Sequence, residues 1–227
     1  MKLSETAQKY LRSQKRLAPY YADDASTIQY FSDNGLDIYP RLLEIQIKYA
    51  GYQLSRYEDP RQSFIIYIFL QKDILHRGSI VPDTTDPYLL FYFGQHDSAP
   101  DPFSINTDGA ICMVYDEKNP RIIYSSVEKL IEDYAIHDII ARSGITEHGC
   151  YTYDVLDEAN TIQYLSERFQ TKDVSDQLGT WMYDEDSVIN IAPWWSGSGD
   201  FIRIYGNLTE KTDRVLNELA GLGYIKK

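Results

Sequence analysis

Along this chain the spacing of apolar residues alternates between the period of a helix and that of a strand, and turn residues mark each change. The clearest stretch runs from Tyr88 to Ile140. Three short apolar segments, Tyr88–Phe93, Ala110–Tyr115 and Arg121–Tyr124, are divided by Thr107-Asp108-Gly109 and by Asp116-Glu117-Lys118-Asn119-Pro120. Val127, Leu130, Ile131, Tyr134 and Ala135 then recur at helical spacing. Ser125 is placed to cap that helix, with Glu128 three residues on to return the bond. The pattern predicts a β-meander closed by a packed helix.

Three helices are expected before it. Ser4–Leu17 opens on a capping serine, turns Ala7, Tyr10 and Leu11 inward, and stops at Pro19. Asp23–Asp33 ends at Asn34-Gly35, a favourable left-handed pair. Pro40 suits a first helical position, and Leu42, Leu43, Ile45, Gln46 and Tyr49 follow at helical spacing before Gly51. After a charged loop, Arg56–Arg61, the unbroken apolar run Ser63–Leu70 reads as a buried central strand. Asp73–Asp86 reads as irregular.

Past Gly144 the expected order is a strand at Tyr151–Asp154, a helix at Asp157–Phe169 with Ile162, Leu165 and Phe169 on one side, and strands at Gly179–Tyr183 and Ser187–Ile191. Ala192–Tyr205 is expected to be a loop running into a strand. Thr209 would cap a last helix with Val215, Leu216, Leu219 and Leu222 as its buried stripe, and Gly221 and Gly223 at its frayed end. This is an α+β pattern: a twisted, mainly antiparallel sheet with helices packed on it. No linker or low-complexity stretch divides residues 1–227, so one domain is expected.

Composition adds two things. Of 227 residues 43% are hydrophobic, enough for a sizeable core, and the aromatics are dominated by 20 Tyr against 8 Phe and 3 Trp. Tyrosine buries a ring but keeps a hydroxyl that seeks a partner, which suits core margins and contact surfaces. The net charge of −12, from 34 acidic and 22 basic residues, repels phosphate backbones and favours a basic partner over nucleic acid. Lys9, Arg12, Lys15 and Arg16 form the one dense basic patch, expected as a solvated helix face. MKLSETAQKY lacks the apolar stretch of a signal peptide, and no apolar run is long enough for a membrane span, so a cytoplasmic protein is expected. Cys112 sits in an apolar segment; pairing with Cys150 stays open at this level.

The candidate chemistry is sparse. His76, His96, His137 and His148 show no zinc spacing, and His148 with Cys150 lacks a third ligand nearby. Ser196-Gly197-Ser198-Gly199 lacks the Lys-Ser/Thr of a phosphate loop and precedes a strand where a nucleophile elbow would need a helix. Asp184-Glu185-Asp186 lacks the ligand spacing of a calcium loop. Trp194 and Trp195, adjacent in an extended segment, point to opposite sides, so one can face the core while the other anchors an interface. The expectation is a protein-binding module with no catalytic residue, metal or cofactor. Its candidate contacts are Asp97, Asp101, Asp184, Glu185, Asp186, Trp194, Trp195 and Asp200. The competing readings are a small-molecule-binding or enzymatic domain using the Pro193–Asp200 loop, and a regulatory scaffold.

Pro40-Arg41-Leu42-Leu43-Glu44-Ile45-Gln46-Ile47-Lys48-Tyr49-Ala50-Gly51 resembles the proline, apolar helix, tyrosine and glycine segment of the SUKH superfamily, the SMI1/KNR4-like proteins. Tyr92-Phe93-Gly94, Ile105 to Ile111 with its Asn106-Thr107-Asp108-Gly109 turn, and Ile123 to Glu132 with Ser125-Ser126 resemble that family's later progression of strand, turn, strand and helix start. The likeness spans about Pro40 to Ile140. Ala50-Gly51 stands where the family commonly has two glycines, the family's Trp-rich N-terminal signature is not evident, and residues beyond about 150 lie outside the likeness. The resemblance implies a sheet with helices packed on it. It also implies a bacterial immunity protein, which binds and neutralises a cognate toxin domain, or a regulatory scaffold as in fungal relatives; neither role needs a catalytic residue. A basic toxin would complement this chain's acidity.

Overall fold

The first helix starts where the sequence places it, because Ser4 Oγ accepts the Ala7 N–H at 3.1 Å. The computed structural model describes residues 2–55, 63–78, 83–85, 88–96, 103–114, 120–144, 150–172, 175–176, 178–185, 187–194, 199–206 and 210–226. Backbone packing divides the chain into two units, 1–135 and 136–227.

In the first unit the order is α1 (Glu5–Ser13), β1 (Lys15–Arg16), a 3₁₀ turn at Ala18–Tyr20, α2 (Asp24–Asp33), α3 (Pro40–Tyr49), β2 (Tyr52–Leu54), β3 (Phe64–Ile65), α4 (Gln71–Leu75), β4 (Asp83–Thr85), β5 (Tyr88–Tyr92), β6 (Gln95–His96), β7 (Phe103–Asn106), β8 (Ile111–Met113), β9 (Arg121–Tyr124) and α5 (Val127–Arg142). The division between the units falls within α5. One antiparallel sheet runs β1-β2-β3-β6 and a second β4-β5-β7-β8-β9. The α+β class expected from the pattern is therefore present, with the strands spread over several sheets.

Caps explain the boundaries. Asp23 accepts the Ser26 N–H at 2.9 Å and starts α2, which ends at Asn34 with Gly35 left-handed. Pro40 opens α3, and Ala7, Tyr10, Leu11, Leu42, Ile45, Gln46 and Tyr49 are buried as predicted. The first helix stops at Ser13, short of the predicted Leu17, so Lys15 and Arg16 lie on a strand and not on a helix face. Asn106 Oδ1 accepts the Asp108 and Ala110 N–H groups at 3.1 and 2.8 Å and builds the turn between β7 and β8.

Several expectations are corrected. Of Ser63–Leu70 only Phe64–Ile65 is strand, although Ser63 to Phe69 are all buried. The predicted irregular stretch Asp73–Asp86 contains the end of α4 and β4. The strand Phe103–Asn106 had no counterpart in the predicted meander. Ser126, one residue past the predicted Ser125, caps α5 by accepting the Lys129 N–H at 3.2 Å. Glu128 turns away from that cap to pair with Arg41 of α3. Glu132 accepts from Ser4 N and Oγ at 2.6 and 2.8 Å. Helix α5 is thus buried at polar positions as well: Glu128, Lys129, Glu132 and His137 are each below a tenth exposed.

The second unit contains the end of α5, then β10 (Cys150–Val155), α6 (Glu158–Ser166), β11 (Gln170–Thr171), β12 (Thr180–Tyr183), β13 (Ser187–Pro193), β14 (Asp200–Gly206), α7 (Glu210–Gly221) and β15 (Ile225–Lys226). Its sheet runs β11-β12-β13-β14-β10-β15, antiparallel throughout. Asp157 accepts the Asn160 N–H at 3.2 Å and caps α6, which ends at Ser166, short of the predicted Phe169. On one side of the sheet Ile189, Ile191, Ile202 and Ile204 pack with Leu165 and Phe169 and with Val215, Leu216 and Leu219. Leu222, predicted in that stripe, is 53% exposed, because the helix ends at Gly221. Pro193 belongs to β13 and not to a loop. The Arg56–Arg61 loop, the Asp116–Asn119 turn, His148 and the Thr209 cap lie outside the described residues.

Candidate functional site

Trp194 follows β13, and strand pairing decides what surrounds it. Pro193 sits opposite Asp200, Ala192 opposite Phe201, and Asp154 opposite Phe201 on the other side of β14. The Trp194 ring leans on Phe201, with centroids 4.9 Å apart and planes at 51°. Its indole N–H donates to Asp154 Oδ1 at 3.1 Å, and its backbone N–H donates to Gly199 O at 3.2 Å. A half-buried tryptophan is thereby fixed beside the Asp154 carboxylate, while Asp200 lies opposite Pro193 on the adjacent strand.

The same sheet face continues along β14. The Arg203 guanidinium lies 4.7 Å over the Phe201 ring, donates to Thr152 Oγ1 at 3.1 Å and to Tyr205 Oη at 3.4 Å. Tyr205 Oη is 2.8 Å from His137 Nε2. Tyr205 stacks with Trp181, and His137 meets the Trp181 ring edge-on with centroids 5.2 Å apart. The face is therefore graded. Ile136, His137 and Ile140 cover the Trp181–Tyr205 end, whereas Thr152 and Asp154 at the Trp194 end are exposed.

Sequence reasoning grouped Trp194 with the acidic turn, and the structure separates them. Asp184 closes the β12–β13 hairpin by accepting the Ser187 N–H at 2.8 Å, and Glu185 is exposed beside it. That turn lies at the start of β13 and Trp194 at its end, roughly 20 Å away for a seven-residue strand. Asp200 pairs with Pro193, the residue before Trp194. Asp97, Asp101, Asp186 and Trp195 lie outside the described residues.

The first unit carries a second surface, built around Arg16, a residue expected on a solvated helix face. Arg16 spans two rings: its guanidinium lies 4.2 Å from the Tyr21 centroid and 5.4 Å from that of Tyr52. It donates to Ala50 O at 2.9 Å and Ile47 O at 2.8 Å, so it also satisfies the C-terminal end of α3. Gly51 makes this possible. It has φ +87°, and a methyl there would lie 2.7 Å from Tyr21 and 2.9 Å from Leu17 O. Beside it Tyr20, Tyr67 and Tyr92 form a row with centroid steps of 4.9 and 5.8 Å. Burial, with the Tyr92 hydroxyl as a hydrogen-bond partner, holds the Tyr67 hydroxyl well above its usual pKa. The only signals for this row were the tyrosine count and the basic run, and neither indicates a common face.

Among the described residues no group of three His, Cys, Asp or Glu is arranged to hold a metal ion. Among them, too, no helix is long and apolar enough to cross a membrane. Cys112 is a free, buried thiol. Compared with known proteins, the chain matches no family model, no curated protein and no solved structure.

Proposed function

We propose that this protein is a non-catalytic binding module of the immunity type, which neutralises a basic toxin domain through the Trp194 end of the second sheet. The observation that carries the reading is Trp194 held between Phe201 and Asp154, with Asp200 on the adjacent strand. An aromatic face next to a carboxylate suits a lysine or arginine of a partner, since cation–π attraction and charge pairing act on the same side chain. The surrounding charge agrees: residues 136–227 contain 15 acidic and 8 basic side chains, a net of −7 out of the chain's −12. A tryptophan whose N–H is already bonded is pre-oriented, so little rotamer freedom is lost on binding.

The test is co-expression with any toxin-like domain encoded beside this gene. The wild-type chain is expected to restore growth, and Trp194→Ala with Asp154→Asn is expected to abolish the rescue while leaving the purified protein folded. Full rescue by the double variant would remove this surface from the reading.

A further inference from the structure

We propose that the tyrosine face of the first unit is a docking site for an extended, proline-rich segment of a partner protein that carries an acidic residue at its end. The face consists of Tyr20, Tyr67 and Tyr92 in a row, with Tyr21, Tyr52 and Arg16 next to it.

Three observations lead to that occupant. First, the rings of the row touch in sequence and its two ends reach solvent: Tyr92 is 47% exposed and Tyr20 half-buried, with Tyr67 between them at 8%. Its two centroid steps, 4.9 and 5.8 Å, give a length of at most about 11 Å. One turn of a polyproline II helix is three residues at ~3.1 Å each, about 9 Å, so one turn covers the strip with prolines laid across the rings. Aromatic-lined surfaces recognise such segments because the ligand is already extended and loses little entropy.

Second, the surface is rigid on the protein's side. Gln46 Nε2 donates to Tyr20 O at 3.3 Å, Gly94 N donates to Tyr67 O at 2.8 Å, and Tyr20, Tyr21, Leu17 and Leu70 pack on Ala50, Ile65 and Tyr67. Third, Arg16 is exposed and is held by backbone carbonyls and tyrosine rings; among the described residues it makes no ion pair. A carboxylate supplied by the ligand complements it. A basic ligand would not, which separates this face from the acidic Trp194 corner.

The test uses the full chain and a fluorescein-labelled decaproline with an aspartate at each end, read by fluorescence anisotropy at low salt. Saturable binding is expected. Tyr92→Ala, an exposed position, is expected to weaken it at least tenfold, with a native circular dichroism spectrum and a melting temperature lowered only by the lost Tyr67 hydroxyl partner. Replacing the terminal aspartates by lysines is expected to weaken it about fivefold, and Arg16→Gln is expected to erase that difference between the two peptides. No binding up to millimolar peptide, equal binding of an alanine-for-proline peptide, or binding unchanged by Tyr92→Ala would each overturn the proposal. Sedimentation of the free protein gives a separate check: a dimer dissociated by Tyr92→Ala would make a second copy of the chain the occupant and would also overturn it.

Discussion

Gln46 and Phe69 exchange two hydrogen bonds: Gln46 Oε1 accepts the Phe69 N–H at 3.2 Å, and Gln46 Nε2 donates to Phe69 O at 3.0 Å. The same Oε1 accepts the Ile68 N–H at 2.9 Å. A buried side chain of α3 thus takes the place of a neighbouring strand at Ile68 and Phe69, past Ile66 and Tyr67, whose backbone groups still bond to Tyr52, Gly51 and Gly94. Gln46→Leu keeps the volume but leaves these buried backbone groups without partners, at ~1–3 kcal/mol for each orphaned group. A loss of about 3 kcal/mol is expected, read as a lowered urea midpoint with an unchanged slope. An unchanged midpoint would mean that the segment finds other partners.

Gly94 has φ +63°, and a methyl there would overlap the Phe64 ring and lie 2.7 Å from Ile65 O. Gly35 has a similar φ of +67° with nothing within 4 Å of the same position. Gly35→Ala should therefore cost only the left-handed penalty, about 1 kcal/mol. Gly94→Ala should cost at least about 2 kcal/mol more, since neither the ring nor the carbonyl can yield freely. Thermal melts of the two variants side by side measure the difference.

Arg41 ties α3 to α5 through Glu128, and it also donates to Glu44 at 2.6 Å. Glu128 is 1% exposed, so removing the guanidinium strands a buried carboxylate. Arg41→Met is expected to destabilise by about 3 kcal/mol, and Arg41→Met with Glu128→Met to recover most of that loss. A double-mutant cycle in urea checks both numbers.

Stability should fall on the alkaline side. Burial pushes the Cys112 thiol from 9.0 up to about 11, and burial followed by the Asp73 charge pushes the Tyr30 hydroxyl from 10.0 up to about 12. Below about pH 9 both groups are protonated whether the chain is folded or not, so their contribution is complete there. Above it the unfolded chain releases the thiol proton first and is favoured, up to about pH 11; Tyr30 repeats this between 10 and about 12. Urea midpoints should decline from pH 9 to 10.5, and in Cys112→Ala the decline should begin about one pH unit later. Identical pH profiles for the two proteins would exclude the thiol as its source.

What was legible in the sequence follows from how local each signal is. Ser4, Asp23 and Asp157 cap helices with neighbours three residues away, and Pro40 needs only its own ring, so these starts could be read directly. The buried polar residues of α5 could not, because the partners of Glu128 and Glu132 are Arg41 and Ser4, 87 and 128 residues away. The same holds for the face around Arg16. Its rings come from residues 20, 21, 52, 67 and 92, and no periodicity joins them. At the Trp194 end of the other sheet, Trp194 and Asp200 are legible as candidates but Asp154 is not, since only the β10–β14 register brings it there.

Calorimetric titration of this protein with any toxin-like domain encoded beside it, at low and at physiological salt, tests the proposed binding role most directly. The account predicts one-to-one binding in the nanomolar range that weakens as salt rises, and at least tenfold weaker binding for Trp194→Ala. Absence of heat, or salt-independent binding that Trp194→Ala leaves unchanged, would contradict it.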